Sequence, residues 1–518
     1  MGSLRLFTAI LGVACGGQTA PPADKPASEP APIYVTPDAA VPVIVGAACN
    51  DHPRCGPGLT CDATMPGGAC VASCSGAGTP CANGVCVEYP KADLCRASCT
   101  TNADCRADEG YACDPVWKGC VLANAPTIAP LACAPLPGFG RDPTFAPSTA
   151  LGIGAGEPAA AITDEGGLVA VFEREDHPGL AVARLDHTGR LDGALDTSLA
   201  GSAPALVRDG AVIHLVTANR SQIALLSSRD RGRTWSAPRS LAEQGCMSVG
   251  ACTSPALAVG SDPRRERVLY VAYSAGGGIR MIASRTGGAT FTPAITALPG
   301  ERASLAVSGD GVLHVAALRG SVRGSYGAGD HDILYATSSD GGRSFTRPQL
   351  VSRSGERLPF YFGTPRIEVD SARKWIYIAY TRGGRDGKWD LAIVATKDKG
   401  KTWARSRIGD DPPCATHFAP QLALDPTTGS VHVAWYDSRG NRFAHGVCVE
   451  GLRACRQLGR INDAPFAGLS LARHGATAAS ETTALIVDAA RRTLHAVWSQ
   501  PVAADGRIFH AKAKLPQR

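Results

Sequence analysis

The stretch that decides the fold is Ser228–Trp235, which reads SRDRGRTW and recurs further along the chain. Ser338–Phe345 reads SSDGGRSF, and Thr396–Trp403 reads TKDKGKTW. A fourth copy, SRTGGATF, occupies Ser284–Phe291 and has Thr286 where the other three have aspartate. The spacing indicates a hairpin turn, because a short carboxylate side chain can accept hydrogen bonds from its own turn and glycine tolerates positive φ.

The common pattern, S/T-x-D-x-G-x-T/S-W/F, resembles the Asp-box (BNR) repeat of sialidase-like β-propellers. On this resemblance the aspartate and glycine shape the turn, and the aromatic ring packs between neighbouring sheets. We expect these residues to determine architecture rather than chemistry. They are Asp230, Gly232, Trp235, Gly288, Phe291, Asp340, Gly342, Phe345, Asp398, Gly400 and Trp403.

A second repeat, a short apolar strand that recurs seven times between turn residues, predicts an all-β fold. The chain has 59 glycines and 37 prolines in 518 residues, and short β-branched runs lie between turn residues. Four-stranded units at this spacing can close into a radial propeller that leaves no long open edge. Seven copies of the central strand favour seven blades, and six blades, as in sialidases, stay open as the alternative. The copies are Leu168–Phe172, Ile213–Thr217, Leu269–Tyr273, Leu313–Ala317, Ile376–Tyr380, Val431–Trp435 and Leu494–Trp498.

One position of the central strand alternates between histidine and tyrosine. This interchange predicts a packing site between blades, at which the polar tip of the ring finds a partner. Equivalent positions on separate blades would be too far apart to bind one zinc ion. The residues are His214, His314, His432, His495, Tyr270 and Tyr377.

The 19 cysteines predict an oxidising compartment. Twelve of them lie between Cys49 and Cys120 in three evenly spaced units of four, with few apolar residues between them. We therefore expect this segment to be held by disulfides. Zinc is the disfavoured alternative, since the segment has no C-x2-C pair. We predict no metal and no cofactor.

The remaining cysteines form candidate pairs outside that segment. One insertion contains both Cys246 and Cys252, and one predicted hairpin has Cys448 and Cys455 on its two sides. Both pairs are expected to be local disulfides. The two cysteines then left over, which could join the cysteine-rich segment to the propeller, are Cys133 and Cys414.

The N-terminus has the pattern of an export signal. Met1–Ala14 contains Arg5 and then an apolar run too short to span a bilayer. The tetrapeptide GVAC ending at Cys15 resembles a bacterial lipoprotein box, although Gly12 stands where that family usually has leucine. The resemblance implies lipidation of Cys15 in the cell envelope, on the outer surface or in the periplasm, and a plain secreted protein is the alternative.

The predicted organisation follows the changes in composition along the chain. Residues 1–15 are the signal with Cys15, and the Pro/Ala-rich residues 16–48 form a tether. Residues 49–133 form the disulfide repeats, and residues 150–518 form the propeller. We expect a monomer that meets the membrane only through its lipid anchor.

An arginine follows the central strand in five units, on the face expected to lie opposite the Asp boxes. The guanidinium fork suits carboxylate, sulfate or phosphate, so we predict binding of an acidic glycan or surface protein. The net charge of +6 is mild and does not demand a nucleic acid. The alternative is a solvated rim on which each arginine pairs with an acidic neighbour such as Asp176, Asp386 or Asp437. The five are Arg174, Arg220, Arg319, Arg382 and Arg439.

A sialidase-like glycoside hydrolase is the second hypothesis. Ala170–Asp176 (AVFERED) resembles the Phe-x-Glu-x-Arg stretch of sialidases, which implies a carboxylate contact for Arg174 and makes Asp176 a displaced candidate acid. The Arg-Ile-Pro motif expected earlier is absent. No Tyr–Glu pair of this chain matches the nucleophile pair of sialidases by local motif, although we expect Tyr380 and Tyr436 to lie beside the arginine rim. Binding is therefore favoured over catalysis, and a purely structural module is the third hypothesis.

Overall fold

Short strands run through the whole part of the chain that the computed structural model describes. These residues are 45–123 and 140–516, apart from internal segments of which the longest are 73–80, 242–252, 321–330, 409–416 and 465–482. The predicted signal and tether, with Cys15, Cys133, Cys246, Cys252 and Cys414, lie outside the described residues. Among the described residues, no helix has the length and apolar character needed to span a membrane.

Three two-stranded hairpins make up the cysteine-rich region. They are β1 (Thr60–Asp62) with β2 (Ala69–Val71), β3 (Gly84–Glu88) with β4 (Asp93–Ala97), and β5 (Tyr111–Cys113) with β6 (Cys120–Leu122). Disulfides join Cys49 to Cys61, Cys55 to Cys70, Cys81 to Cys95, Cys99 to Cys113 and Cys105 to Cys120. In the first and third units the first cysteine pairs with the third and the second with the fourth. The cysteine sulfurs that lie close together here are therefore explained by disulfide bonds.

Seven four-stranded antiparallel sheets form the blades of a β-propeller. The strand β7 (Thr149–Ile153) precedes the first blade in sequence. Listed from the innermost strand outward, blade 1 has β8 (Gly156–Ile162), β9 (Leu168–Glu173), β10 (Leu180–Leu185) and β11 (Asp196–Leu199), and blade 2 has β12 (Ser202–Asp209), β13 (Val212–Asn219), β14 (Gln222–Ser228) and β15 (Arg239–Ser240). In the same order, blade 3 has β16 (Thr253–Ser261), β17 (Arg267–Ala275), β18 (Gly278–Ser284) and β19 (Ile295–Pro299), blade 4 has β20 (Glu301–Val307), β21 (Leu313–Arg319), β22 (Asp332–Ser338) and β23 (Gln349–Leu350), and blade 5 has β24 (Arg366–Asp370), β25 (Trp375–Gly383), β26 (Trp389–Thr396) and β27 (Ala404–Ser406). Blade 6 has β28 (His417–Asp425), β29 (Ser430–Asp437), β30 (Arg442–Cys448) and β31 (Cys455–Arg460), and blade 7 has β32 (Thr483–Asp488), β33 (Thr493–Val502), β34 (Asp505–Lys514) and β7.

The ring closes through a strand from its own beginning. β7 pairs with β34 and completes blade 7 as its outermost strand. The innermost strands of successive blades contact one another, and β32 contacts β8. The prediction of a propeller is confirmed, and of the two blade numbers left open the structure has seven. Every predicted central strand is the second strand of a blade.

The second strands are buried because neighbouring blades pack on both of their faces. Trp435 and Trp498, which lie within two of these strands, are completely buried. The four histidines of the repeated position are also buried, and their ring nitrogens have partners as predicted. Tyr377 Oη accepts from the amide of Gly451 at 3.1 Å, but Tyr270 Oη departs from the prediction and has no partner among the described residues. His214 lies 2.9 Å from Ser227 Oγ and His314 lies 2.7 Å from Tyr335 Oη. His432 and His495 each lie 3.1 Å from a second histidine, namely His445 and His510.

The repeated turns lie between the third and fourth strands of their blades. Asp230 Oδ1 accepts the amide of Thr234 at 2.9 Å, and Asp230 Oδ2 accepts the Thr234 hydroxyl at 2.6 Å. Asp340 makes the same contacts with Ser344, and Asp398 makes them with Thr402. Burial alone would raise the pKa of Asp230, but the hydrogen bonds from Thr234 and Ser228 lower it to about 2. The carboxylate is therefore ionised and forms part of the turn.

The glycine and aromatic positions of these turns have structural roles. Gly232, Gly342 and Gly400 have φ of 80°, 82° and 90°, which favours glycine. The aromatic rings of Trp235, Phe291, Phe345 and Trp403 pack against the cores between adjacent blades. In the fourth copy, Thr286 Oγ1 accepts the amide of Thr290 at 2.8 Å and so replaces one carboxylate oxygen. Gly288 keeps its positive φ of 87° there.

The predicted local disulfide between Cys448 and Cys455 is present. It joins the facing ends of β30 and β31 in blade 6, with 4.0 Å between the Cα atoms. Together with the five disulfides of the cysteine-rich region, it is typical of a protein that folds in an oxidising compartment.

Candidate functional site

The blade topology separates two ends of the ring. The first-to-second and third-to-fourth connections lie at one end, with the Asp turns, and we call it the Asp-turn end. The second-to-third connections lie at the opposite end and follow, for example, Glu173, Arg319, Gly383 and Asp437. We call it the loop end. The predicted arginines follow or finish second strands, so the described ones belong to the loop end.

Three of the predicted arginines can be placed. Arg174 follows β9 directly and is half-buried. Arg319 is the last residue of β21, and Arg382 is the last residue but one of β25. All three arginines stand two residues after the last residue of the predicted central strand of their blade. Arg220, Arg439 and Asp176, together with Asp386 of the solvated-rim alternative, lie outside the described residues.

Both strand-borne arginines form ion pairs across their own hairpins. Arg319 Nε donates to Asp332 Oδ2 at 3.1 Å, and these two residues are directly opposed between β21 and β22. Arg382 lies 2.7 Å from Asp390, the residue opposite it on β26. The arginines are therefore paired with acidic neighbours, as the solvated-rim alternative expects, although the partners differ from those expected. Arg319 remains half exposed, with 51% of its side-chain surface accessible.

Blade 6 has the same pair with its charges exchanged. Asp437 occupies the position of Arg319 and Arg382, and Arg442 lies opposite it on β30. Arg442 Nη2 lies 3.0 Å from Asp437 Oδ2, and both side chains are buried. The aspartate was considered in the sequence only as a neighbour of Arg439. Arg442 was missed, because one arginine beside a hairpin loop carries no local signal.

A histidine joins the pairs of blades 5 and 6. His417, at the start of β28, has Nδ1 3.5 Å from Asp390 Oδ1 and Nε2 3.5 Å from Asp437 Oδ2. Its ring stands edge-on to that of Trp435, at a centroid distance of 6.4 Å. We call Arg382, Asp390, His417, Asp437 and Arg442 the blade 5–6 cluster. The sequence predicted only its first member as a ligand-binding residue.

The cluster combines two guanidinium groups, two carboxylates and one imidazole. Burial alone would raise the pKa of Asp390, but the contact with His417 and the charge of Arg382 hold that pKa below its usual value. Guanidinium groups can bind an anionic ligand, and an imidazole between two carboxylates can take up or release a proton. The arrangement is therefore suited to binding an acidic ligand and contains a group capable of acid–base chemistry.

The two candidate tyrosines lie inside the blades. Tyr380 is completely buried, and its hydroxyl accepts a hydrogen bond from Arg405 on the outermost strand at 3.0 Å. The hydroxyl of Tyr436 donates to the carbonyl of Ser499 at 2.6 Å, and its ring stacks on Phe418. In these positions both side chains serve packing between strands and blades, and neither hydroxyl is directed to an open surface.

No protein-family model matches the chain, and no curated protein matches it. Solved structures with a related arrangement include a protein of unknown function from Dyadobacter fermentans DSM 18053, with 12% identity, 72% of this chain and 100% of that chain covered, and a TM-score of 0.42. An ulvan lyase of polysaccharide lyase family PL25 has 11% identity, 72% and 96% coverage, and a TM-score of 0.44.

The intramolecular trans-sialidase from Ruminococcus gnavus has 12% identity to this chain. The match covers 57% of this chain and 92% of that enzyme, with a TM-score of 0.38. The neighbours thus include sialidase-like and polysaccharide lyase propellers. The strand pairing of this chain itself establishes the seven blades.

Proposed function

We propose that the loop end of the propeller binds an acidic ligand, an acidic glycan or an acidic protein surface, through its arginines. The observation that carries the proposal is the recurrence of an arginine at this end in three consecutive blades: Arg319, Arg382 and Arg442. A ligand carboxylate or sulfate would compete with the paired aspartates for the guanidinium groups. Arg319 is the best placed to respond, because half of its side-chain surface is exposed.

A matched pair of substitutions tests this proposal. Arg267 at the Asp-turn end is as exposed as Arg319, at 52% against 51%, and is likewise paired with an aspartate across 2.7 Å, namely Asp209. We expect Arg319→Gln to weaken binding of chondroitin sulfate oligosaccharides several-fold and to reduce its salt dependence, as loss of one cation requires. Arg267→Gln should leave binding unchanged. Calorimetric titration that finds equal losses in both variants, or no binding by the wild type, would refute the proposal.

The location at the bacterial cell surface is a further part of the proposal. The described disulfides support an exported protein, since such bonds persist in oxidising compartments. Lipid attached to Cys15 would then anchor the molecule. Labelling cells with a radioactive fatty acid tests this, because the label should enter the wild type and not the Cys15→Ser variant.

A sialidase-like hydrolase is the second candidate. One observation favours it: His417 lies between two carboxylates, a combination suited to proton transfer in hydrolysis. Turnover of a fluorogenic sialoside that disappears in Arg174→Ala would support this candidate. Binding of acidic oligosaccharides without any turnover would support the binding protein.

A further inference from the structure

A cavity of about 750 Å³ lies between blades 6 and 7 at the Asp-turn end of the ring. It borders the first-to-second turn of blade 6, at residues 425–430, and the end of β34 in blade 7. Most of its wall is apolar and includes Val447, Leu458 and Leu494. This volume is typical of small-molecule pockets, in which a few polar groups on a mainly apolar wall orient the ligand.

The cavity lies where the Asp turn of blade 7 is interrupted. The third strand β34 and the fourth strand β7 come from opposite ends of the propeller sequence, so no single turn joins them. The strand register places Ala513 where blade 4 has Ser338, and Leu515 where it has the turn aspartate Asp340. Within the described chain, the serine and aspartate of the turn therefore have no counterpart at this boundary.

The second half of this turn is supplied by residues that precede β7. Phe145 stands before β7 as Phe345 stands before β23, with three residues between the ring and the strand. The ring of Phe145 is edge-on to that of His445 at a centroid distance of 5.2 Å, as Trp403 is to Tyr335 at 5.6 Å. His445 and Tyr335 occupy the same position on the third strands of their blades. Phe145 is therefore the aromatic residue of a split turn.

Asp142 stands in the split turn where the intact turns have glycine. Its Oδ2 lies 2.8 Å from His445 Nδ1, and its Oδ1 accepts from the amide and the hydroxyl of Thr144 at 2.9 and 2.6 Å. Burial alone would raise the pKa of Asp142, but the hydrogen bonds from His445 and Thr144 lower it to about 2. The carboxylate is therefore ionised and can only accept hydrogen bonds.

A chain of hydrogen bonds leads from Asp142 to a second histidine on the cavity wall. His445 Nδ1 carries the proton that Asp142 accepts, so Nε2 of the neutral ring is an acceptor. This nitrogen lies 3.1 Å from His432 Nδ1, which therefore donates. His432 Nε2 is left as an acceptor and forms no hydrogen bond with a described residue. His432 is only 7% exposed, and both histidines line the cavity.

The repeat indicates the direction of His432 Nε2. In blade 4 the equivalent nitrogen, His314 Nε2, lies 3.2 Å from Ser308 Oγ in the first-to-second turn. The register places Asp425 at the position of Ser308 in blade 6, and Asp425 lines the cavity. The Asp425 carboxylate is bonded to Arg492 instead. His432 Nε2 therefore presents its lone pair to the side of the cavity that this turn forms.

We propose that this cavity binds a small, mainly apolar molecule with a hydroxyl group, and that the hydroxyl donates a hydrogen bond to His432 Nε2. The apolar wall supplies the contact area, and the buried acceptor orients the ligand. Asp142 is a positioning residue, because it determines through His445 which nitrogen of His432 carries the proton. A methyl ether of the same shape cannot donate and leaves the buried nitrogen without a partner, which weakens binding.

Fluorescence titration of the full chain with 2-naphthol and with 2-methoxynaphthalene tests the proposal. We expect the wild type to bind 2-naphthol about tenfold more tightly than the methyl ether. Asp142→Asn should abolish this preference. The bonds from Thr144 hold the asparagine oxygen, so its amide group donates to His445 Nδ1 and the proton positions reverse along the chain. His432 Nε2 then donates, and the oxygen of either probe can accept.

Asp186→Asn provides the matched control. Asp186 Oδ1 accepts from the amide and the hydroxyl of Thr188 at 2.8 and 2.6 Å, as Asp142 does from Thr144, but Asp186 belongs to blade 1 and not to the cavity wall. This variant should keep the tenfold preference.

Leu458→Trp tests the location independently of the histidines. The larger side chain fills the cavity from β31, so this variant should lose binding of both probes. The proposal is overturned by a wild type that binds neither probe or binds both equally. It is also overturned by an unchanged preference in Asp142→Asn or by unchanged binding in Leu458→Trp. Circular dichroism would confirm that each variant is folded.

Discussion

The two ends of the propeller are held by contacts of different range. At the Asp-turn end, the turn at Ser228–Trp235 closes within eight residues, through bonds between Asp230, Ser228 and Thr234. At the loop end, the blade 5–6 cluster takes its five side chains from five strands of two blades. The first kind of contact can form in an isolated hairpin. The second exists only after two blades have folded and packed together.

The Asp437–Arg442 pair of the blade 5–6 cluster also differs in burial from the exposed ion pairs of the Asp-turn end. At the Asp-turn end, Arg231 pairs with Asp164 of the preceding blade at 2.8 Å, but both side chains are more than a third exposed. At the loop end, the side chains of Asp437 and Arg442 are 0% and 1% exposed. Exposed pairs are screened by water and contribute little, whereas removing one partner of a buried pair is costly. We therefore expect substitutions in the blade 5–6 cluster to cost more stability than substitutions of exposed pairs, and to be coupled to one another.

The largest effect is expected for Asp437→Ala. This change removes the carboxylate that contacts both Arg442 and His417, and should reduce the free energy of unfolding by about 3–5 kcal/mol. Asp390→Ala should show a non-additive effect with it, since His417 contacts both aspartates. Urea denaturation of the single and double variants measures both quantities.

Asp209→Ala is the control for that comparison. Its carboxylate pairs with the exposed Arg267 at the Asp-turn end, so the loss should be much smaller. Equal losses for Asp437→Ala and Asp209→Ala would mean that the buried pair and the exposed pair do not differ in stability as their burial implies.

The next effect concerns pH and arises on the Asp-turn side of the second strands. Burial lowers the pKa of His314 and His495 to about 4 and that of His432 to about 3. In the unfolded chain these groups titrate near about 6.5, so below that pH the unfolded state binds more protons. Stability should therefore be complete above about pH 6.5 and fall progressively toward about pH 4.

Urea denaturation at several pH values tests this expectation, with His314→Gln as the comparison variant. The amide can still bond with Tyr335 but does not titrate, so the dependence of stability on pH should become shallower between about pH 6.5 and pH 4. A variant with the slope of the wild type would show that this histidine does not remain neutral in the folded protein.

The sequence was sufficient for the fold because each blade repeats its own local signals. The turn aspartates, the positive-φ glycines and the alternating second strands are all readable within about ten residues, which is the range of hairpin chemistry. The closing strand β7 was not predicted, because nothing in Thr149–Ile153 shows that its partner β34 lies at the other end of the chain. Pairing of this kind is decided by ring closure.

The sequence was not sufficient for the candidate site. Asp390 is the second residue of an ordinary apolar strand, and His417 has no repeated counterpart, so neither residue stands out in the local sequence. One available signal went unused. Aligning the seven second strands places Asp437 where Arg319 and Arg382 stand, and this exchange of charge points to a compensating cation on the next strand, which is Arg442.

A smaller loss of stability is expected at the Asp turns. Asp340→Ala removes the acceptor for Ser344, Arg343 and Ser338, and should cost about 1–2 kcal/mol. Burial alone would raise the pKa of Asp340, but these hydrogen bonds lower it to about 2, so the contribution is present above about pH 4 and is lost as pH falls toward about 2. Asp230→Ala, in a different blade, should add to it independently. Non-additive losses in thermal unfolding would contradict the local character of these turns.

The smallest effect, and the one of opposite sign, is expected at the turn without aspartate. Thr286 Oγ1 accepts from the amide of Thr290 and lies 2.9 Å from the hydroxyl oxygen of Thr290. The single oxygen of Thr286 therefore makes both contacts, whereas Asp230 uses one carboxylate oxygen for the amide and the other for the hydroxyl. Thr286→Asp supplies the second acceptor on a backbone that already has the required shape, as the positive φ of Gly288 shows. The change should therefore stabilise the protein by about 0.5 kcal/mol. A measured loss of stability would mean that the surroundings of this turn, rather than its own eight residues, determine which side chain fits.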